Sequence, residues 1–210
     1  AFYNGEIKSS DSGDIPVQDY LRVTNEFIVP HSSGKHARFN RSSYMVGALA
    51  RFNNSYAQLT AAARAVAEKL GLSAPCHNPY MNTVAQIVEV VQCIAEAVEL
   101  IDRLLDAGIK KESPNLETTR YGQGIAATEV PRGILFHDYT YNAQGAIESA
   151  NCIIPTGQNL ANIDDDMKKL VPEIIEESKT DITHKLEMLV RAYDPCISCS
   201  VHMVDVTFIE

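Results

Sequence analysis

The sequence predicts a mainly α chain of the α+β class: a helical-bundle core with a small β-hairpin inserted between helical regions. Three observations carry this. Apolar residues recur every three or four positions from Val84 to Leu105, a helical period. The period then changes to strict alternation across Gly133-Ile134-Leu135-Phe136-His137-Asp138-Tyr139-Thr140-Tyr141. Finally, 210 residues with 45% hydrophobic and 21% charged content suffice for one substantial core. No internal repeat or low-complexity segment interrupts them, so residues 1–210 read as a single domain.

The elements follow in order. The first forty residues are mixed, with loop compositions at residues 9–14 and 31–35. Residues 55–70 read as one helix with Leu59, Ala63, Val66, Ala67 and Leu70 on one face and Gly71 as its cap. Asn78-Pro79-Tyr80-Met81-Asn82 opens a second helix, which Gly108 ends. It carries Val84, Ile87, Val88, Val91, Ile94, Ala95, Val98, Ile101 and Leu105, apolar on more than one face, and is expected to be a central bundle helix. The strand at residues 133–141 turns at residues 142–145 and returns over residues 146–154. Asp164-Asp165-Asp166 suits a helix start, with Pro172 limiting or kinking that helix. A last helix covers about residues 181–191, with Ile182, Leu186, Leu189 and Val190 inward.

Charge and composition exclude several functions. A net charge of -9 with pI about 5.1 disfavours nucleic acid and anionic membranes, and the basic residues form no local patch. No apolar run reaches a membrane span, and the amino end lacks the basic-then-apolar pattern of a signal peptide. The chain does not begin with Met, which fits either processing or a piece of something longer. Five scattered cysteines argue against a disulfide framework and for a reducing cytoplasm.

Cys196 and Cys199 are three positions apart and could reach one metal or one metal pair. Thiolates favour nickel, iron, zinc or copper. Pro195 stiffens the approach, Asp194 could accept a proton or hydrogen bonds, and His202 could ligate or act behind the ligands. The same pattern also fits half a zinc site, a pair of reduced buried thiols, or a thioredoxin-like dithiol. Cys76-His77 is the nearest candidate for completing a zinc site. A thioredoxin-like motif belongs after a strand near the start of its domain, whereas this one follows a helix.

The longer string Arg191-Ala192-Tyr193-Asp194-Pro195-Cys196-Ile197-Ser198-Cys199-Ser200-Val201-His202 resembles the carboxy-terminal signature of [NiFe] hydrogenase large subunits. Its Arg-Ala-Tyr lead resembles the soluble cytoplasmic branch, which passes electrons to F420, NAD(P) or a heterodisulfide reductase. Glu129-Val130-Pro131-Arg132-Gly133-Ile134-Leu135-Phe136-His137 is similar to the family's Pro-Arg-Gly segment. Ile154-Pro155-Thr156-Gly157-Gln158-Asn159 is similar to its Pro-Thr/Ser-x-x-Asn loop. The resemblance implies heterolytic splitting of H2 at a Ni–Fe centre whose iron carries cyanide and carbon monoxide. Cys196 would be a terminal nickel ligand and proton acceptor, and Cys199 would bridge the metals. Arg132 would face the open side of the pair, held by Asp194. Thr156, preceded by Pro155, would hydrogen-bond a cyanide. His202 would lie near a magnesium or other structural cation, or behind the ligands.

Plainer readings stand beside these. Arg132 could be a surface arginine after a proline turn, and Thr156 an ordinary loop hydroxyl. His137 reads as structural, and Glu129 as a proton relay or a turn cap. Cys76, Cys93 and Cys152 read as small buried hydrophobes. Residues 164–166 lack the oxygen-ligand spacing of a calcium loop.

Two departures from the family pattern matter. The family's amino-terminal Arg-x-Cys-Gly-x-Cys segment is absent, so the chain holds two of the four thiolates. A split large subunit is the preferred expectation, beside a fragment or a degenerate site; another chain would then carry the missing pair, and an iron–sulfur small subunit would take the electrons. The tail at residues 203–210 follows the histidine at which the family is usually cleaved, so the chain is either unprocessed or of a kind that needs no cleavage. The alternative functions are a non-catalytic assembly or electron-transfer scaffold with a degenerate site, and a zinc-stabilised helical binding module.

Overall fold

A computed structural model describes residues 5–40, 42–111, 113, 121–199 and 204–209. The chain opens with two short antiparallel ribbons. β1 (Ile7–Ser9) pairs with β2 (Gly13–Ile15), and β3 (Asn25–Val29) pairs with β4 (Ser32–Arg38). Three helices follow: α1 (Ala48–Ser55), α2 (Ala61–Lys69) and α3 (Asn82–Ala107). A three-stranded antiparallel sheet, β5 (Gly122–Val130), β6 (Gly133–Tyr141) and β7 (Ile147–Ile153), separates them from α4 (Pro155–Ile174) and α5 (Lys179–Ala192).

The α+β class and the helices around α3 and α5 match the sequence expectation. α3 ends where Gly108 takes a positive φ of 76°, which glycine adopts without a Cβ penalty. Ser178 caps α5 by accepting from the Asp181 N–H, and Ile182, Leu186 and Leu189 face inward.

Several elements depart from expectation. The helix expected over residues 55–70 is broken: α1 ends at Ser55, a 3-10 turn covers Tyr56–Gln58, and Thr60 starts α2 by accepting from the Ala63 N–H. A capping hydroxyl competes with helix continuation, and here it wins. Residues 31–35 lie mostly in β4, and residues 9–14 form the tight turn between β1 and β2 with parts of both strands. The hairpin is in fact a three-stranded sheet, because β5 precedes it. The stretch read as a loop at residues 154–159 is the first turn of α4, with Pro155 at its start, where a missing N–H costs nothing. Asp164, Asp165 and Asp166 therefore sit inside α4, where Lys168 pairs with Asp164 at 2.7 Å and Lys169 with Asp166 at 3.2 Å. Cys93 and Cys152 are exposed and Cys76 is half-buried, so none of the three is the fully buried hydrophobe expected.

Apolar residues gather in three places. Leu49, Phe52, Ala63, Ala67, Ala85 and Val88 join α1, α2 and the start of α3. Tyr20, Phe136 and Ile153 fill one face of the sheet, where the Tyr20 hydroxyl donates to Asp138 at 3.0 Å and accepts from Asn151 at 2.7 Å. Ile163, Ile174, Ile182 and Leu189 join α4 to α5. Among α3 residues only Asn82, Ala85 and Val88 are buried, so the expected central helix has just one end inside this chain. No helix among the described residues is long and apolar enough to cross a membrane.

Candidate metal centre

Four stretches meet at one end of α3. The first is the connection ahead of α1, residues 44–47. The second is the two-residue turn Pro131-Arg132 between β5 and β6, closed by the Val130 and Gly133 pair. The third is the first turn of α4, and the fourth is the turn that follows α5.

The first turn of α4 is the clamp. Thr156, Gln158 and Asn159 are all buried. Asn159 accepts from the Val46 N–H at 2.8 Å and donates back to the Val46 carbonyl at 3.2 Å. Gln158 donates to the Ile134 carbonyl at 2.7 Å and accepts from the Tyr44 hydroxyl at 3.3 Å. Each buried amide thus satisfies backbone groups that would otherwise be orphaned. Asn159→Ala is expected to cost about 2 kcal/mol, because it strands a donor and an acceptor together. A shift in the urea midpoint at unchanged slope would measure it; no shift would show that water replaces the amide.

The paired cysteines hang from this clamp. Tyr193 ends α5, nearly fully buried; its hydroxyl donates to Asp166 and accepts from Asn162, both at 2.6 Å. Burial, and then the Asp166 contact, hold the phenol well above its ordinary range. Asp194 next takes φ 49°, a left-handed conformation that short polar side chains tolerate better than most. The Cys196 N–H then donates to Thr156 Oγ1 at 3.2 Å, and a 3-10 turn over Ile197–Cys199 brings the second thiol round. Cys196 Sγ lies 3.1 Å from Ser198 Oγ. Hydrogen bonds from Cys199 and Ser198 lower the Cys196 pKa. Burial and the Cys196 sulfur push Cys199 up to about 11, against the pull of Arg132. Of the two thiols, Cys196 ionises first.

Arg132 reaches the same turn. Its Nε donates to the Asp194 carbonyl at 2.7 Å, while Nη2 stands 3.5 Å from Asp194 Oδ1. The carbonyl, more than the carboxylate, holds the guanidinium; the exposed ion pair adds little. Asp194 Oδ2 accepts from Gln86 at 3.0 Å.

Gln86 belongs to a set of residues that sequence reasoning missed. Asn82, Gln86 and Glu89 recur at helical spacing on α3 and form a polar ladder. Asn82, buried, donates to the Ala192 carbonyl and accepts from the Leu49 N–H, each at 3.0 Å. Glu89 takes two hydrogen bonds from Arg51, at 2.6 and 2.8 Å. Arg51 also donates to Glu129 at 2.6 Å and to the Val130 and Pro131 carbonyls at 3.0 Å, gripping the strand end that carries Arg132. Burial works against the Arg51 charge, but the two carboxylates outweigh it and keep the guanidinium protonated. Glu129 is raised by burial despite Arg51, and its role here is that of an ion-pair partner. The signal available in the sequence was three polar residues at four- and three-residue spacing within an apolar helix. Arg51→Met leaves two part-buried carboxylates unpaired; their partial exposure points to the low end of the range for broken buried pairs, about 3 kcal/mol. Thermal unfolding would report the loss, and a melting midpoint within error of the parent chain would count against this role for the network.

The structure therefore brings Arg132, Asp194, Thr156, Cys196 and Cys199 together, with Pro155 buried at the start of α4. His137 lies in β6, its Nδ1 3.2 Å from the Tyr139 hydroxyl. His202 lies outside the described residues, as do residues 203 and 210 of the tail; Val204 and Val206 pack against Ile174, Ile182 and Leu186. Among the described residues no three His, Cys, Asp or Glu side chains converge as ion ligands. Two soft thiols on one turn suit part of a thiolate centre, and a closed tetrahedral zinc site would need two ligands more.

Paired thiols on one turn beside an arginine, in an α+β chain, suit the class of metal-thiolate proteins. The family model of the nickel-dependent hydrogenases matches residues 17–202, and the chain belongs to that family. It is 35% identical over 202 residues to the alpha chain of sulfhydrogenase 1 of Pyrococcus furiosus, covering 96% of this chain and 47% of that one. It is 28% identical to a chain of the vhc F420-non-reducing hydrogenase of Methanococcus voltae, over 96% of this chain and 46% of that one. A crystal structure of NAD+-reducing [NiFe]-hydrogenase in the H2-reduced state superposes with a TM-score of 0.76 at 25% identity, over 96% of this chain and 48% of its own. The [NiFeSe] hydrogenase of Desulfovibrio vulgaris Hildenborough, with a TM-score of 0.52 at 16% identity, shares the fold. The chain spans about half the length of the curated relatives it matches.

Proposed function

We propose that this chain, acting only within a complex, is the carboxy-terminal part of a hydrogenase large subunit. Cys196 and Cys199 hold a nickel–iron centre together with two thiolates from another segment. When bound, that centre, its iron carrying cyanide and carbon monoxide, supplies heterolytic cleavage of H2. Family membership supports this reading, and the observation that carries it is the convergence of both thiols with Arg132 and Thr156 on one turn.

The chain's own residues have definite parts. Cys196, the more readily ionised thiol, would be available as a thiolate to take up the proton and, as the weaker base of the two, to pass it on. Arg132 sets a fixed positive charge beside the thiols, tethered by the Asp194 carbonyl. Thr156 accepts from the Cys196 N–H and so keeps its own hydroxyl hydrogen for a cyanide. Asp194 fixes the turn through Gln86. Pro155 starts the helix that places Thr156. His202 would serve a magnesium or other structural cation, or act behind the ligands, as the family resemblance implies. The partners are a segment carrying the other two thiolates, an iron–sulfur small subunit, and an acceptor module linked to F420, NAD or a heterodisulfide reductase; the NAD-reducing relative supports the NAD member of that range. A reducing cytoplasm would keep both cysteines available as thiols.

Elemental analysis of the purified native assembly, with infrared spectra in the cyanide and carbon monoxide region, tests this. Nickel and iron with those bands are expected. Zinc alone, or no nickel and no bands, would replace the catalytic reading with a scaffold or binding module.

A further inference from the structure

We propose that the outer face of α3 is the docking surface for the segment that supplies the remaining thiolates, and that this segment lies on it as an apolar helix edged with lysine or arginine. The occupant's identity rests on the hydrogenase reading above; the surface itself does not.

α3 has two apolar faces. At about 100° per residue, Ala85 and Val88 point towards α1 and α2, into the core. Ile87, Val90, Ile94, Val98, Ile101 and Leu105 fall together on the opposite side, each 48–63% exposed. Leu100 and Leu104, also exposed, widen this stripe to an arc of roughly 160° over a length of about 27 Å. From Cys93 to Ala107 only Ala95 is even half-buried. A stripe this continuous is beyond what a solvated surface ordinarily shows, and a helix so little packed draws little of the tertiary support that most protein helices need.

Three observations select the occupant. The matched relatives have about as much length again as this chain aligns with, so a comparable mass of the same subunit has no counterpart in it. The stripe is continuous with the thiol turn: it borders the flank that carries Asn82, Gln86 and Glu89, which bind the Ala192 carbonyl, the Asp194 carboxylate and Arg51. A helix seated on the stripe would therefore run up to the site it has to complete. Charge supplies the third. The exposed half of α3 holds Glu96, Glu99, Asp102 and Asp106 against Arg103, with Glu96 at one edge of the stripe and Asp102 at the other. A second copy of α3 would set acid against acid, whereas basic edges would pair with both.

The experiment uses the native assembly, with a photo-crosslinking benzophenone amino acid in place of Val98 and mass spectrometry of the linked peptides. The expected product joins α3 to the large-subunit segment that holds the other cysteine pair, on the same polypeptide or a separate one. A link to a second copy, a link to the iron–sulfur partner, or no link would each overturn the proposal. As a second measurement, I94D with V98D, both exposed and outside the core, should speed hydrogen exchange over residues 93–107 by tenfold or more within the assembly; unchanged exchange would also overturn it. The metal readings separate the two claims. Nickel and infrared bands with the wrong crosslink would remove this docking and leave the function. The right crosslink without nickel would remove the function and leave the docking.

Discussion

Cys199→Ser in the assembled protein is expected to lower bound nickel and iron roughly tenfold or more and to take hydrogen oxidation below detection. Serine is nearly isosteric with cysteine, and Cys199 is only half-buried, so the turn over Ile197–Cys199 should keep its shape. What changes is the donor. A neutral hydroxyl is a hard, weakly acidic ligand where the centre calls for a soft thiolate. A serine hydroxyl can still donate to the Cys196 sulfur, so the exchange alters the donor atom offered to the metals and not that hydrogen bond. Ser198→Ala provides the comparison. It removes a hydrogen bond to the Cys196 sulfur but no ligand, and metal content should stay within about twofold of the parent protein. Equal metal loss in the two variants would mean that local hydrogen bonding, and not thiolate donation, holds the centre. Full metal in Cys199→Ser would remove Cys199 from the ligand set.

Much of the fold was legible because three elements carry their own period. α3 and α5 show apolar residues at helical spacing with clear stops, and β6 alternates between a glycine and a turn. The misreadings have physical causes. In α4, Thr156, Gly157 and Asn159 are weak helix formers, and their local preference points to a loop. Burial decides otherwise: Thr156, Gln158 and Asn159 are worth more as hydrogen-bond partners to Cys196, Ile134 and Val46 than their propensities cost. The acidic run at Asp164 imitated a helix start because helix interiors and helix starts both tolerate carboxylates, here with Lys168 and Lys169 one turn on. β5 has two glycines and only two half-buried β-branched residues in its ladder with β6 besides its terminal valine, too little pattern to read without the partner strand. At the site, local chemistry alone left Arg132 and Thr156 as ordinary residues; the family resemblance picked them out. Neither route reached Asn82, Gln86 and Arg51, whose part lies in contacts 33 to 110 positions apart in the chain.

Gly133→Ala is expected to be the most damaging single change outside the ligands, lowering stability by about 4 kcal/mol. Two costs add. Gly133 has φ 138°, a backbone conformation that residues with a Cβ rarely adopt, worth about 1–3 kcal/mol. A Cβ there would meet Val46 Cγ2 at 2.4 Å and the Gly47 nitrogen at 3.1 Å, an overpacking worth about 1–3 kcal/mol. The neighbours have little freedom to retreat. Asn159 holds Val46 by both its N–H and its carbonyl, and Gly47 lies so close to the Arg132 carbonyl that a Cβ on it would stand at 3.1 Å. Arg51 fixes the other side by gripping the Val130 and Pro131 carbonyls. The melting midpoint should fall by on the order of 10 °C for a chain of this size. Adding Val46→Ala should recover less than half of that, because it removes the Cγ2 contact but leaves Val46 Cβ at 2.8 Å and the backbone strain. Full recovery would assign the whole cost to the Cγ2 clash, and no recovery would assign it to the backbone and the Val46 Cβ. A midpoint within about 2 °C of the parent would mean that the turn carrying Arg132 is not wedged against the α1 connection, and the rigidity argued for the guanidinium above the thiols would go with it.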